Sequence, residues 1–329
     1  MMMVNGFTPR EAQVGIKQIK DFFERKLAEQ LNLTRVSAPL FVRPETGLND
    51  NLNGVEKAVA FRITKHDLDV EIVQSLAKWK RMALKWYDFQ PGEGLYTDMN
   101  AIRPDEYVDS LHSIYVDQWD WERIISKEDR TQETLVDTVE KIYEAFKATE
   151  IFINELYPTR LFRKLPDKIT FISSQELEDK YPEETPKRRE HLIAKEYGAV
   201  FLTQIGKRLK SGLPHDNRAP DYDDWTLNGD IIFWNPALQD SIELSSMGIR
   251  VDEEALEKQL KLSGTEDRKS LEYHTKLLAG ELPYTVGGGI GQSRICMYFL
   301  QAKHIGQVQA SIWSEEEIKR CEDEGIFLL

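Results

Sequence analysis

Four glycines within five residues, Gly287-Gly288-Gly289-Ile290-Gly291, constrain this chain more than any other stretch; Gln292-Ser293-Arg294 and the apolar run Ile295-Cys296-Met297-Tyr298-Phe299-Leu300 follow at once. Glycine has no Cβ, so such a backbone takes positive φ freely and lets a flat or anionic group come close. The segment reads as a glycine-rich turn between a strand and a buried helix, with the planar guanidinium of Arg294 at the junction. Gly289, Gly291 and Arg294 thereby become candidate nucleotide contacts. No Gly-Lys-Ser/Thr follows, and the spacing is not that of the dinucleotide fingerprint. A tight corner and a ligand cradle both satisfy the glycines alone.

The remaining chain bounds the choice. With 329 residues, 41% of them hydrophobic, it can bury a large core in one large domain or two modest ones. It carries 43 basic and 56 acidic residues, a formal charge of −13, which argues against a surface that tracks a nucleic-acid backbone and leaves room for a local anion pocket. Only Cys296 and Cys321 occur, in unlike contexts, so neither a disulfide nor a metal framework is expected, and a reducing compartment follows. No apolar run reaches the length of a membrane span and the N-terminus lacks a signal-type segment. The expectation is a cytoplasmic protein without a membrane or nucleic-acid partner.

Thr8-Pro9-Arg10-Glu11 is a capping box with proline at the first helical position, and Val14, Ile19, Phe22, Phe23 and Leu27 recur at helical spacing, which predicts a helix over 9–31. A strand over 34–41 with an edge proline follows, then a turn-rich stretch to Gly54 in which Asp50 reads first as a turn former. Strands are expected around Val59–Ile63 and Val70–Val73. A short helix over 76–86 carries Lys78, Lys80, Arg81 and Lys85, which predicts a solvated basic face. The segment 92–106 is a loop and strand ending in Arg103 before Pro104. The strand 112–122 that follows places His112, Ile114, Val116, Gln118, Asp120 and Glu122 on one face, which either surfaces into water or lines a pocket.

Further on, the periodicity predicts a core helix over 126–156, then strand, helix, helix and strand to Ile205. A long loop over 206–229, with Arg218, Tyr222, Asp223 and Trp225 embedded, reads as functional. Strands 230–234 and 239–244 form a hairpin. Centred between Pro236 and Ala237, it sets Asp230 opposite Glu243: either two solvated acids or a pair bridged by a cation such as Mg²⁺. Helices over 251–262 and 266–279 precede the glycines, and a turn and strand are expected over 304–313. No repeat or linker divides the chain, so the architecture expected is a single α+β domain over 1–329.

Three stations then stand in order: the helix with its proline-bearing strand, the arginine-turn-strand from Arg103 to Glu122, and the glycine segment ending in Arg294. This order resembles the three motifs of the class II aminoacyl-tRNA synthetase catalytic core, its aspartyl branch above all. Asn49-Asp50-Asn51-Leu52, Ser75-Leu76-Ala77-Lys78-Trp79-Lys80-Arg81, Gly92-Glu93-Gly94-Leu95-Tyr96-Thr97, Tyr115-Val116-Asp117-Gln118-Trp119-Asp120-Trp121-Glu122, Ala219-Pro220-Asp221-Tyr222-Asp223-Asp224-Trp225 and Glu243-Leu244-Ser245-Ser246-Met247-Gly248 resemble the bacterial ammonia-dependent asparagine synthetases, the aspartate–ammonia ligases, over nearly the whole chain.

The resemblance implies an antiparallel β-sheet flanked by helices, a homodimer formed partly through the first station, and a reaction of L-aspartate, ATP and ammonia that gives asparagine, AMP and pyrophosphate through a β-aspartyl-adenylate. It implies Arg103 on the α-phosphate and Arg294 on adenine or the phosphates, beside Gly289 and Gly291, with Asp230 and Glu243 on Mg²⁺. Lys80 and Gln118 would grip the aspartate carboxylates. Asp50, Asp120, Asp223 and Ser246 would place its amino group and reacting end, and Asp50 is a candidate proton acceptor. The chain departs from the synthetases at Ser293, where an acidic residue is usual, at Asp105, where Glu is usual, and in lacking an anticodon-binding domain; all three turn the expectation away from tRNA charging. The stretch 225–228 is short for the ligases. The competing expectations are a non-catalytic module on the same core and a truncated synthetase paralog.

Overall fold

The computed structural model describes residues 6–50, 57–161 and 164–329. Helix α1 (Pro9–Leu31) begins at the predicted capping box, in which Glu11 N donates to Thr8 Oγ1 at 3.3 Å and Thr8 N to Glu11 Oε2 at 2.8 Å, and it stops where Asn32 turns left-handed. Next come β1 (Leu33–Arg35) and β2 (Phe41–Val42); the predicted single strand over 34–41 is two short ones, because Pro39 has no N–H to continue a ladder. The chain continues through β3 (Ala60–Ile63), β4 (Leu68–Ile72), helix α2 (Ala77–Trp86), β5 (Gly94–Ile102) and β6 (Tyr115–Ile124). Helix α3 (Gln132–Leu156) starts later than the periodicity suggests, at its N-cap Thr131. Then follow β7 (Thr170–Ser173), α4 (Ser174–Lys180), α5 (Pro186–Tyr197), β8 (Ala199–Thr203), β9 (Asp223–Asn235), β10 (Asp240–Arg250), α6 (Glu253–Ser263), α7 (Glu272–Leu278), β11 (Thr285–Gly291), α8 (Gln292–Leu300) and α9 (Glu315–Asp323). The predicted strand over 304–313 is instead a 3-10 turn, Ile305–Gln307, followed by irregular chain.

Among the described residues, the main sheet has eight strands in the order β1-β5-β6-β11-β10-β9-β8-β7, and β2-β4-β3 form a small second sheet. Pairing is antiparallel through the centre, from β5 to β8, and parallel only at the two edges. On β6, Trp119 and Trp121 point into a layer of helices, where Phe23 of α1 lies 5.1 Å from Trp119 and Phe146 of α3 packs on Phe23. Each fully buried aromatic or branched side chain there contributes about 1.5–3 kcal/mol. The alternate residues Gln118, Asp120 and Glu122 consequently fall on the opposite face.

The four glycines are not a turn. They lie within β11, at the centre of the sheet between β6 and β10, and none has positive φ. Their demand is for space rather than for unusual dihedrals. A Cβ on Gly287 would overlap Glu122 Oε2, one on Gly288 would stand 2.7 Å from Ser246 O, and one on Gly289 would stand 2.5 Å from Gln118 Oε1. The helix predicted after them is present as α8.

Candidate active site

Above the glycine strand the sheet opens into a cavity of about 430 Å³. Its wall carries Asp50, Lys80, Arg103, Gln118, Asp120, Asp223, Glu243, Ser246, Gly289, Gly291 and Arg294, so segments far apart in sequence converge as expected. Asp230 alone of the proposed site residues does not line it. Asn51 and Leu52 of the Asp50 motif lie outside the described residues. The face of β6 that could have met water or a pocket meets the pocket: Gln118 and Asp120 line it, and Glu122 is fully buried beneath.

Of the four cations expected on a solvated face of α2, only Lys85 is exposed. Lys78, Lys80 and Arg81 are buried, and each is matched by an acceptor. Lys80 Nζ donates to Gly288 O at 2.9 Å and stands 3.3 Å from Asp120 Oδ2 and 3.9 Å from Glu122 Oε2. Burial lowers the pKa of its ammonium, against the pull of the Asp120 charge. Arg81 donates to Pro283 O and Val251 O, stitching α2 to the one end of the strand pair where β10 finishes and β11 begins.

Below the cavity runs an ionic ladder. Glu122 accepts Arg250 Nη2 at 2.7 Å and Thr285 Oγ1 at 2.7 Å, and Arg250 reaches on to Asp223. Burial pushes the Glu122 carboxyl up, but Arg250 and Lys80 outweigh it and hold it below the usual range. Asp223 is shifted upward, because its burial outweighs the opposing pull of Arg250. Arg250 is a wall residue that sequence reasoning missed; its signal was a lone arginine closing the uncharged run Ser245-Ser246-Met247-Gly248-Ile249. The long loop expected over 206–229 ends early, since β9 begins at Asp223; the segment 224–227, at the short stretch, sits in an irregularity where Gly248 pairs with Asn228 and Arg250 with Asp223.

The predicted hairpin register is wrong by a few residues. Glu243 pairs with Ile232, and after a bulge Ser246, not Glu243, pairs with Asp230. The turn is longer than a two-residue centre allows, so Asp240 opposes Asn235. The bulge nevertheless keeps Glu243 and Ser246 on the cavity side. Arg218, another cavity residue that was assigned no role, ion-pairs with Asp230. Burial pushes the Asp230 carboxyl up to about 7 despite Arg218, and the Glu243 charge adds to the rise. Glu243 behaves oppositely: burial raises it, but Arg294, Lys187, Arg218 and Arg103 together hold it low. Arg294 Nη1 donates to Glu243 O at 3.0 Å, and Arg103 Nη2 lies 3.4 Å from Gln74 O. Ser293 turns away from Arg294: its N–H and Oγ donate to the two oxygens of Asp117 at 3.1 and 2.8 Å.

An antiparallel sheet carrying an open polar cavity, with an arginine at the mouth of β5 and another at the head of α8, defines a class II aminoacyl-tRNA-synthetase-like core. Asparaginyl-tRNA synthetase of Entamoeba histolytica superposes with a TM-score of 0.62 at 14% identity, over 92% of this chain and 67% of its own. That of Pyrococcus horikoshii, solved with asparaginyl-adenylate, gives 0.62 at 16% identity, over 91% and 68%. The family described as aspartate-ammonia ligase matches residues 10–325, and the chain belongs to it. It is 63% identical to the aspartate–ammonia ligase of Ruminiclostridium cellulolyticum over 97% of this chain and 95% of the relative, and 61% identical to that of Fusobacterium nucleatum over the full length of both.

Proposed function

We propose that the chain condenses L-aspartate with ammonia to L-asparagine at the expense of ATP, through a β-aspartyl-adenylate, with release of AMP and pyrophosphate. The observation that carries this is the convergence, in one cavity of a family member, of Arg103, Arg294 and Lys80 with Gln118, Asp50, Asp120, Asp223 and Ser246. A free carboxylate is a poor electrophile, and adenylation supplies the leaving group. Arg103 takes the α-phosphate and Arg294 the adenine or the phosphates, both over the wall made by Gly289 and Gly291; their fixed positive charge meets the charge that develops in adenylyl transfer. Lys80 and Gln118 hold the carboxylates of aspartate. Asp120, Asp223 and Ser246 place the amino group and reacting end, and Asp50 accepts the proton that ammonium must lose.

Asp230 and Glu243 fit a divalent cation. Asp230 Oδ1 is buried without a hydrogen-bond donor, and burial, with the nearby Glu243 charge adding to it, raises the Asp230 carboxyl. Mg²⁺ there would neutralise the phosphates of ATP and polarise the one under attack. The first station supports a homodimer, since Val14 of α1 and, further along the chain, Leu40 and Phe41 leave apolar surface exposed. The cytoplasm suits a chain with two free, buried cysteines and no described helix long and apolar enough to cross a membrane. A coupled assay of AMP and asparagine, run with ammonium, with glutamine and with no nitrogen donor, tests the reading. AMP release that is independent of ammonium, with no asparagine formed, would sink it.

A further inference from the structure

The motif Ala219-Pro220-Asp221-Tyr222-Asp223 contributes Ala219, Tyr222 and Asp223 to the cavity wall, but Asp221 points elsewhere. It is fully buried, and its Oδ2 accepts from Lys78 Nζ at 3.2 Å, Arg268 Nη1 at 3.1 Å and His274 Nε2 at 2.9 Å. These donors come from α2, from the 3-10 turn Glu266–Ser270 and from α7. A carboxylate only accepts, so the His274 proton is on Nε2. Three donors on one oxygen, none of them in the cavity wall, are far more than a loop needs to avoid an unpaired charge.

The position of these groups gives them a use. Asp221 and Asp223 are two residues apart, and each is tied to a lysine of α2: Asp221 directly to Lys78, Asp223 through Arg250 and Glu122 to Lys80. The backbone between is tied as well, with Val251 N donating to Tyr222 O at 2.9 Å and Gln259 Nε2 to both Pro220 O and Asp223 O at 2.9 Å. The loop is thus registered against α2 at two points on either side of Tyr222. We propose that Asp221, with His274 and Lys78, is a positioning clamp that sets the distance between Asp223 and Lys80, and hence the fit of the cavity to the amino acid but not to the nucleotide. The proposal rests on the assignment of aspartate to the Lys80–Asp223 side of the cavity.

His274 permits a test that spares the buried charges. Leucine at 274 removes the donor, whereas glutamine can return an N–H at the Nε2 position. The expected result for H274L is a rise of about tenfold in the KM for aspartate with kcat and the KM for ATP within twofold of wild type, and H274Q should recover most of the loss. Calorimetric titration of wild type, H274L and H274Q with aspartate should show the same order in Kd. Equal rises in the KM for aspartate and for ATP, an aspartate KM within twofold of wild type, or H274Q as impaired as H274L would each overturn the clamp. If wild type forms no asparagine but binds aspartate, the function fails and the calorimetric order still decides the clamp; if it binds no aspartate, both fail.

Discussion

Alanine at Gly289 and at Gly288 should separate function from folding on adjacent residues of one strand. At 289 the new Cβ would stand 2.5 Å from Gln118 Oε1, 2.8 Å from Asp120 Oδ1 and 3.1 Å from Gln118 Cδ. Ordinary contact needs 3.4 Å or more, so these ends must retreat by roughly 1 Å, which side chains do cheaply. Both belong to the proposed aspartate grip, and a misplacement of that size costs on the order of 100-fold in rate. At 288 the Cβ would meet Met247 Cβ at 2.6 Å and the backbone Ser246 O at 2.7 Å, atoms that no rotamer change can swing aside. Overpacking of this kind costs about 1–3 kcal/mol or more. G289A should therefore keep its urea midpoint close to wild type while kcat/KM for aspartate falls about 100-fold; G288A should lose stability. Initial rates of asparagine formation and equilibrium denaturation on the same samples check both. G289A within threefold of wild type in kcat/KM would refute the placement of aspartate beside Gln118 and Asp120.

Three other outcomes follow from the same geometry. Lys80→Met leaves Asp120 buried without its cation, so a stability loss of about 3–5 kcal/mol is expected in chemical denaturation, with aspartate binding abolished in calorimetry. Glu243→Gln removes one proposed ligand charge, and the Mg²⁺ concentration for half-maximal activity should rise by about tenfold or more, read from a metal titration at saturating ATP. His304 accepts from Gly306 N at Nδ1 and so donates from Nε2 to Glu317 Oε1 at 2.7 Å, and burial lowers its pKa. The unfolded chain then takes up this proton first, so stability should fall as pH drops below about 6.5; in H304N, where Oδ1 can replace Nδ1 for Gly306, that part of the slope should vanish in urea midpoints measured from pH 5 to 8.

The sequence was most legible where the signal was local. The capping box at Thr8 located α1 to the residue, and the alternation on β6 correctly divided Trp119 and Trp121 from Gln118 and Asp120. It was least legible where a residue's role depends on partners distant in the chain. Lys78, Lys80 and Arg81 look like a solvated face on a helical projection, because nothing nearby in sequence announces Asp221, Glu122 or the carbonyls they meet. The Asp230–Glu243 register failed for a related reason: a bulge is invisible to a symmetric hairpin rule, and the cation that answers Asp230 comes from Arg218 in a loop. The glycines were recognised as a site feature on the wrong grounds, since dihedral freedom was assumed where the need was room for side chains of β6 and β10.

That last point bears on how such a site can evolve. A pocket floored by side chains can be deepened by trimming them, and new substrates are often admitted in that way. Here the floor is already bare backbone at Gly288 and Gly289, so trimming it cannot deepen the cavity, and any added atom intrudes on Ser246, Met247, Gln118 or Asp120. A homologue that accepts a longer acid must move whole strands or replace the groups on β6 and β10 that overhang the floor. Substrate length is therefore set by sheet geometry, which drifts slowly, and the selectivity of the cavity should outlast wide divergence in the loops around it.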